Sequence, residues 1–145
     1  MNISIKLYGT LGRYVAGYGG NPVACAAALA VFDIVENDEL LDQSKALGKT
    51  LNERLNQFYD EFSFIGDVRG MGPMAAMELV EDRQTKVPAP EKTKALTQYC
   101  CSKGLILLAC GVHGNVIRFL MPLVISKEQL EQGMQIIHDG VYSCS

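Results

Sequence analysis

The chain has 145 residues, of which 48% are hydrophobic, so it is long enough to bury the core of one ordinary domain. Its 13 Lys and Arg stand against 16 Asp and Glu, and no basic run could follow a phosphate backbone, which excludes nucleic acid as an expected partner. The sequence shows neither a membrane-length apolar run nor a signal-peptide pattern, so we expect a cytoplasmic protein with no membrane partner.

The cysteines and histidines give no sign of a metal or of a nucleophile. The five cysteines include no C-x-x-C pair, and the two histidines do not complete a metal-ligand spacing. Cys110 has no neighbouring base that would activate it. We expect no metal, no catalytic residue in this chain, and reduced thiols that are mostly buried.

The N-terminal part predicts a strand, a glycine-rich turn and a helix. MNISIKLYGTLGRY alternates Ile3, Ile5 and Leu7 with polar residues, as a short strand does. AGYGGNP follows and ends in Asn21 and Pro22, a favoured N-cap and a favoured first helical residue. The helix body, VACAAALAVFDIVE, is small or apolar on nearly every face, so we expect it to be buried on several sides.

The middle of the chain predicts a surface helix, a pair of strands and another helix. Apolar residues recur at helical spacing from Leu40 to Phe62, after which 65–69 and 74–80 read as antiparallel strands around the GMGP turn. Helical spacing returns over 91–102. Lys103 and Gly104 end that helix, as a basic residue and a glycine C-cap do.

The last part predicts two strands and a capped helix. LILLAC, residues 105–110, is interpreted as a buried strand, and VIRFLMPL follows after the loop GVHGN. Ser126 and Gln129 form a capping box for a final helix with an apolar inward face. The order helix, helix, strand, strand, helix, strand, strand, helix predicts an α+β fold in which helices cover a small, mainly antiparallel sheet.

Arg118 is a charged residue within an otherwise apolar strand. It either reaches an internal carboxylate such as Asp67 or Glu78, or it awaits the carboxylate of a ligand, for which a guanidinium offers two parallel donors. For Asp67 and Arg69, two residues apart on one strand face, we favour an internal ion pair and a tight turn.

Two further segments could hold a ligand, although each has a simpler interpretation. The glycines before Asn21 leave backbone amides free for an anion such as a phosphate, but from these residues alone we favour a flexible turn before a capped helix. His113 lies in a glycine-flanked loop, and we favour a solvated loop histidine over a site residue.

Five motifs occur in one order: Gly19–Pro22 before an alanine-rich helix, Ile65–Gly72, Met77–Leu79, Lys103–Leu108 and Asn115–Leu123. This series resembles the C-terminal part of the class-III aminotransferases, pyridoxal-phosphate enzymes of fold type I, with the closest likeness to the 4-aminobutyrate aminotransferases. The resemblance covers about residues 16–143. It implies an aminotransferase C-terminal domain over residues 16–145, preceded by an atypical segment over residues 1–15.

The resemblance also implies a reaction and a role for Arg118. Such enzymes move an amino group from 4-aminobutyrate to pyridoxal phosphate and then to 2-oxoglutarate, so the implied partners are small amino acids and 2-oxo acids. The arginine of the family's N-V-I/L-R-x-L-x-P-L strand binds the substrate carboxylate in the second half-reaction, and its counterpart is Arg118. Family members are at least dimers, so the resemblance implies a homo-oligomer.

The cofactor residues implied by the resemblance are Gly17 and Tyr18. The family has a threonine where this chain has Gly17, so backbone amides and the Tyr18 side chain are left to contact the cofactor phosphate. The family's Schiff-base lysine lies in a large upstream domain. We therefore expect a C-terminal portion of such an enzyme that is inactive alone. The alternative is a non-enzymatic module that binds a small dicarboxylate or associates with itself.

Overall fold

The structure is a computed structural model that describes residues Gly20 to Cys144, so the strand predicted around Ile3 to Leu7 lies outside the described residues. The predicted order of elements from the first helix onward is confirmed. The elements are α1 (Pro22–Asn37), α2 (Leu40–Glu61), β1 (Ile65–Met71), β2 (Met74–Leu79), α3 (Pro90–Ser102), β3 (Leu108–Cys110), β4 (Val116–Phe119) and α4 (Lys127–Ser143). None of these helices is long and apolar enough to cross a bilayer.

Helix α1 belongs to the first of two compact units, which divide between Leu40 and Leu41. It begins as predicted, because the Asn21 side chain accepts a hydrogen bond from the Val23 amide at 2.9 Å and Pro22 is the first helical residue. The prediction that it is buried is wrong, since none of its residues is buried and Phe32 is 66% exposed. The apolar composition of a helix indicates a tendency to be buried. It does not show which other segment, if any, covers the helix.

The second unit contains a four-stranded antiparallel sheet with the strand order β1-β2-β4-β3. Successive residues of a strand point to opposite faces, and the inward set packs with apolar residues of α2, α3 and α4 in one core. The central strands supply Ala75, Met77, Leu79, Ile117 and Phe119 to that core. The predicted α+β fold is confirmed, and the sheet is antiparallel throughout.

The helix ends predicted from capping residues are also confirmed. The Ser126 hydroxyl accepts a hydrogen bond from the Gln129 amide at 3.2 Å, and the Ser126 amide donates to the Gln129 side chain at 3.1 Å. Lys103 is the C-cap of α3, and Gly104 follows with a φ of +85°. Such local signals depend on neighbouring residues alone.

Two further predictions of burial are wrong. Only Leu108 to Cys110 of the predicted strand 105–110 form β3, and Leu108 and Ala109 are exposed because β3 is an edge strand. Among the five free cysteines only Cys100 is buried, while Cys25 and Cys101 are exposed. The sequence does not show whether a small apolar side chain lies at the edge of a sheet or on the outer surface of a helix. Its exposure could therefore not be predicted.

Candidate functional site

Arg118 lies on what we call the open face of the sheet, opposite to the core that the sheet forms with α2, α3 and α4. Its strand neighbours Ile117 and Phe119 are buried in the core, whereas Arg118 is exposed. In the sheet register it pairs with Ala76 of β2 on one side and with Leu108 of β3 on the other. Side chains of directly paired residues share a face, so the guanidinium rises beside a methyl group and a leucine.

The side chain of Arg118 is unpaired. No hydrogen bond or ion pair joins it to another side chain between Gly20 and Cys144. The internal pairing with Asp67 or Glu78 that the sequence left open is therefore not formed. A free guanidinium on a rigid strand is available to a ligand.

Arg69, and not Arg118, binds the carboxylates of Asp67 and Glu78. Its Nη1 atom lies 2.5 Å from Asp67 Oδ2 and 2.8 Å from Glu78 Oε2, which confirms the predicted internal ion pair. A register shift between Ile65 and Asp67 sets Asp67 opposite Glu78 in the sheet. The hydrogen bond to Asp67, followed by that to Glu78, raises the pKa of the Arg69 guanidinium above its ordinary value.

Asn115 holds the remaining oxygen of Glu78, a contact that the sequence did not predict. The Asn115 side chain is buried and donates to the Leu79 carbonyl at 2.9 Å and toward Glu78 Oε1 at 3.4 Å. The Leu79 backbone amide donates in return to the backbone carbonyl of Asn115 at 2.8 Å. The sequence carried one signal for this contact, which is the alternation of side chains along β2. That alternation places Glu78 on the same face of the sheet as Ala76.

An apolar cavity of about 340 Å³ opens beside Arg118. The segments 105–108 and 118–122 and helix α4 bound it, and among its lining residues Arg118 carries the only charge and Gln129 is the only other polar side chain. A cavity of this kind suits a small ligand that presents a carboxylate to Arg118 and methylene groups to the apolar walls. The sequence could not show this cavity, because its walls come from three separate segments.

The two residues predicted to contact the cofactor, Gly17 and Tyr18, lie outside the described residues. The described end of the same segment is open: Gly20 has a φ of +77°, and apart from its chain neighbours no atom of residues 20–144 lies within 4 Å of the position that a Cβ would take. Helix α1 begins directly after it, with its Val23 amide already bound by Asn21. A backbone of this shape leaves room for an anion.

The other candidate residues do not join this site. His113 is exposed in the loop between β3 and β4, as the favoured interpretation expects. Its loop turns at Gly111 and Gly114, both at positive φ. Within residues 20–144, no cluster of His, Cys, Asp or Glu side chains is arranged to hold a metal ion.

Comparison with solved structures identifies the class of fold. An aminotransferase of Bacillus anthracis superimposes with a TM-score of 0.80 at 34% identity, over 87% of this chain and 29% of that one. A phospholyase from Arthrobacter, solved in complex with phosphoethanolamine, gives a TM-score of 0.78 at 29% identity, over 84% of this chain and 29% of that one. The fold is thus that of a domain found in aminotransferases and their structural relatives.

Comparison with protein families gives the membership. The sequence profile of the family "Aminotransferase class-III" matches residues 5–141. This chain belongs to the class-III aminotransferase family.

The curated relatives are longer proteins. A probable 4-aminobutyrate aminotransferase of Bacillus subtilis is 45% identical over 86% of this chain and 28% of the relative. A 5-aminovalerate aminotransferase of Pseudomonas aeruginosa is 48% identical over 83% of this chain and 28% of the relative. The 4-aminobutyrate aminotransferase of Escherichia coli is 43% identical over the same two shares. The chain therefore spans about 28% of the length of these relatives.

Proposed function

We propose that this chain is the C-terminal portion of an aminotransferase that moves an amino group from an ω-amino acid such as 4-aminobutyrate to 2-oxoglutarate. The names of the relatives in Bacillus subtilis and Escherichia coli support 4-aminobutyrate as the donor, and that of the Pseudomonas aeruginosa relative supports 5-aminovalerate. Both donors are ω-amino acids with one carboxylate. The observation that carries the proposal is the unpaired guanidinium of Arg118 on the open face of the sheet.

In this proposal Arg118 binds a carboxylate of the 2-oxo acid. Its two parallel N–H donors match the two carboxylate oxygens, and the strand fixes where the side chain starts. Ala76 lies opposite with only a methyl group, so no neighbouring side chain on β2 fills the space beside the guanidinium. The methylene carbons of the acid would lie against the apolar residues of the cavity that Arg118 lines.

The family implies pyridoxal phosphate as cofactor, and we propose that Gly17 and Tyr18 contact its phosphate. The open backbone at Gly20 and the start of the sixteen-residue helix α1 fit such an anion. In aminotransferases this cofactor supplies the electron sink for the reaction. The part assigned to this chain is to contact the phosphate and to orient the acid.

We expect the chain alone to catalyse no amino transfer, since it matches about 28% of the length of the relatives named as aminotransferases. A test of function therefore uses a chimera, in which this chain replaces the matching segment of the Bacillus subtilis relative. The two half-reactions are then followed separately through the absorbance of the bound cofactor: first with 4-aminobutyrate, which leaves its amino group on the cofactor, and then, after the amino acid has been removed, with 2-oxoglutarate, which takes that amino group up.

The expected result is a chimera that performs both half-reactions. Arg118→Met should slow the half-reaction with 2-oxoglutarate by about a hundredfold, the effect of removing a two-point charge-assisted contact to substrate, and should slow the other half-reaction less. Arg54→Met is the matched control, because Arg54 lies on α2 and binds Glu131 instead. Equal losses in both half-reactions, or no loss, would contradict the proposed role.

A second candidate function, self-association, is favoured by one observation. Helix α1 has no buried residue and exposes Val23, Leu29, Val31, Phe32 and Ile34. We propose that copies of the chain associate through this helix, because a helix with this many exposed large apolar side chains tends to be covered. Light scattering should give a mass above that of one chain, and Phe32→Glu should return it to one chain. A monomer at all concentrations would contradict this.

A further inference from the structure

Glu78 is the carboxylate on the strand next to Arg118, yet it is bound elsewhere. Its Oε2 atom lies 2.8 Å from Arg69 Nη1, and its Oε1 atom lies 3.4 Å from the Asn115 side-chain nitrogen. Both oxygens therefore already have a partner other than Arg118. Asp67 also forms an ion pair with Arg69, but it lies on β1, whereas Glu78 lies on β2.

The sheet register places Glu78 within reach of Arg118. Ala76 pairs directly with Arg118, and Glu78 pairs with Val116, two residues along each strand. Glu78 and Arg118 are thus diagonal neighbours on one face, a separation of about 7–8 Å that long side chains can bridge. Asp67 lies one strand further away, because β2 separates β1 from β4.

We propose that Arg69 is a positioning residue that keeps Arg118 free by holding Glu78. This inference rests on the proposed function, in which Arg118 binds the carboxylate of a 2-oxo acid. A carboxylate of the same chain beside Arg118 would compete with that acid. Because the sheet joins Glu78 to Arg118, the effective concentration of this competitor is fixed. Arg69 removes this competitor, and Asn115 assists by holding the second oxygen of Glu78.

The test measures the Kd of 2-oxoglutarate for the full chain and its variants by calorimetry. Arg69→Met keeps the apolar stem of the side chain but releases Glu78. We expect the Kd to rise about two- to fivefold, which is the competition that one exposed ion pair can exert. Because Arg69 is half exposed, the variant should remain folded, and its circular dichroism checks this.

Two double variants with equal net charge separate competition from a general field effect. Adding Glu78→Gln to Arg69→Met should return the Kd close to that of the unsubstituted chain. Adding Asp67→Asn instead should leave the Kd raised, since Asp67 is two strands from Arg118. If the two double variants bind equally well, or if Arg69→Met alone leaves the Kd unchanged, the inference is overturned.

A second readout keeps the inference separate from the proposed function. The Nε–H signal of Arg118 in ¹⁵N NMR spectra reports on a nearby carboxylate without any ligand. It should shift in Arg69→Met and return when Glu78→Gln is added. If the unsubstituted chain does not bind 2-oxoglutarate, the proposed function fails, and this signal still decides the role of Arg69. An unchanged signal overturns that role.

Discussion

Gly48 in the middle of helix α2 lies directly against Gly72 in the turn between β1 and β2. A Cβ atom placed on Gly48 would lie 2.3 Å from the Gly72 carbonyl carbon. The Asn52 side chain fixes the contact by donating to the Gly48 carbonyl at 2.7 Å and to the Gly72 carbonyl at 3.2 Å. Helix α2 and the turn therefore meet backbone to backbone, where no side chain fits.

We predict that Gly48→Ala destabilises the protein. Alanine favours a helix over glycine by about 1 kcal/mol, but the clash with backbone atoms of Gly72 should outweigh this gain. The free energy of unfolding, measured by urea denaturation, should fall by about 1–3 kcal/mol.

Gly133 in helix α4 offers a matched control. A Cβ there would meet only the Leu105 side chain, at an ordinary contact distance of 3.9 Å. Gly133→Ala should therefore raise the free energy of unfolding by about 0.5–1 kcal/mol. If both variants changed stability in the same direction, the close approach of Gly48 and Gly72 would not be what limits residue size at position 48.

Arg83 closes the carboxyl end of helix α2, and its removal should be costly. The guanidinium stacks 3.9 Å from the centre of the Tyr59 ring and donates to the carbonyls of Tyr59, Phe62 and Ile65. Because several carbonyls lose their donor together, Arg83→Ala should lower the free energy of unfolding by about 2–3 kcal/mol. Urea denaturation measures this change.

Arg83→Lys tests whether the fork shape of the guanidinium matters. The guanidinium reaches the three carbonyls through two of its nitrogens, whereas an ammonium group has a single nitrogen, so lysine should recover only part of the loss. Arg54→Ala is the control, since the exposed pair of Arg54 with Glu131 should be worth no more than about 1 kcal/mol. Full recovery by lysine would contradict the role given to the fork.

Cys100 and Cys101 are adjacent but should differ in reactivity. Cys100 is buried, and burial raises the pKa of its thiol from 9.0 to about 11, whereas Cys101 is exposed. Since the thiolate is the reactive form, iodoacetamide at pH 8 should label Cys101 about a hundredfold faster than Cys100. Mass spectrometry of digested samples measures both rates, and in concentrated urea the two rates should converge.

The raised pKa of Cys100 also predicts how stability changes at alkaline pH. The unfolded chain loses this proton near pH 9, while the folded chain keeps it until about pH 11. The contribution of the buried thiol to stability is therefore complete below pH 9 and is lost between pH 9 and pH 11. The loss should be smaller in Cys100→Ala, measured by urea denaturation across this range. An equal loss in that variant would contradict the assignment.

The sequence predicted the order of elements because each element carries local signals. The capping box of Ser126 and Gln129 and the glycine after Lys103 depend only on residues a few positions apart. The antiparallel pair β1 and β2 followed from its short turn. Exposure was predicted less well: α1 and β3 are apolar but exposed, since burial depends on which other segment covers an element.

The candidate site was predicted only in part for a similar reason. A charge within an apolar strand marked Arg118, and the spacing of Asp67 and Arg69 marked their ion pair. Whether Arg118 is free depends on the register of β2 against β4, which sets Ala76 rather than Glu78 opposite it. Register is a relation between distant segments, so it could not be read from spacing along one strand.

The most direct measurement of the central claim is a titration of the ¹⁵N-labelled chain with 2-oxoglutarate, followed at the arginine Nε–H signals. The signal of Arg118 should move to saturation, while those of Arg69 and Arg83, whose guanidiniums already have acceptors, should stay in place. If Arg118 does not respond, or if all the arginine signals drift together without saturation, Arg118 is not a carboxylate-binding residue of this chain.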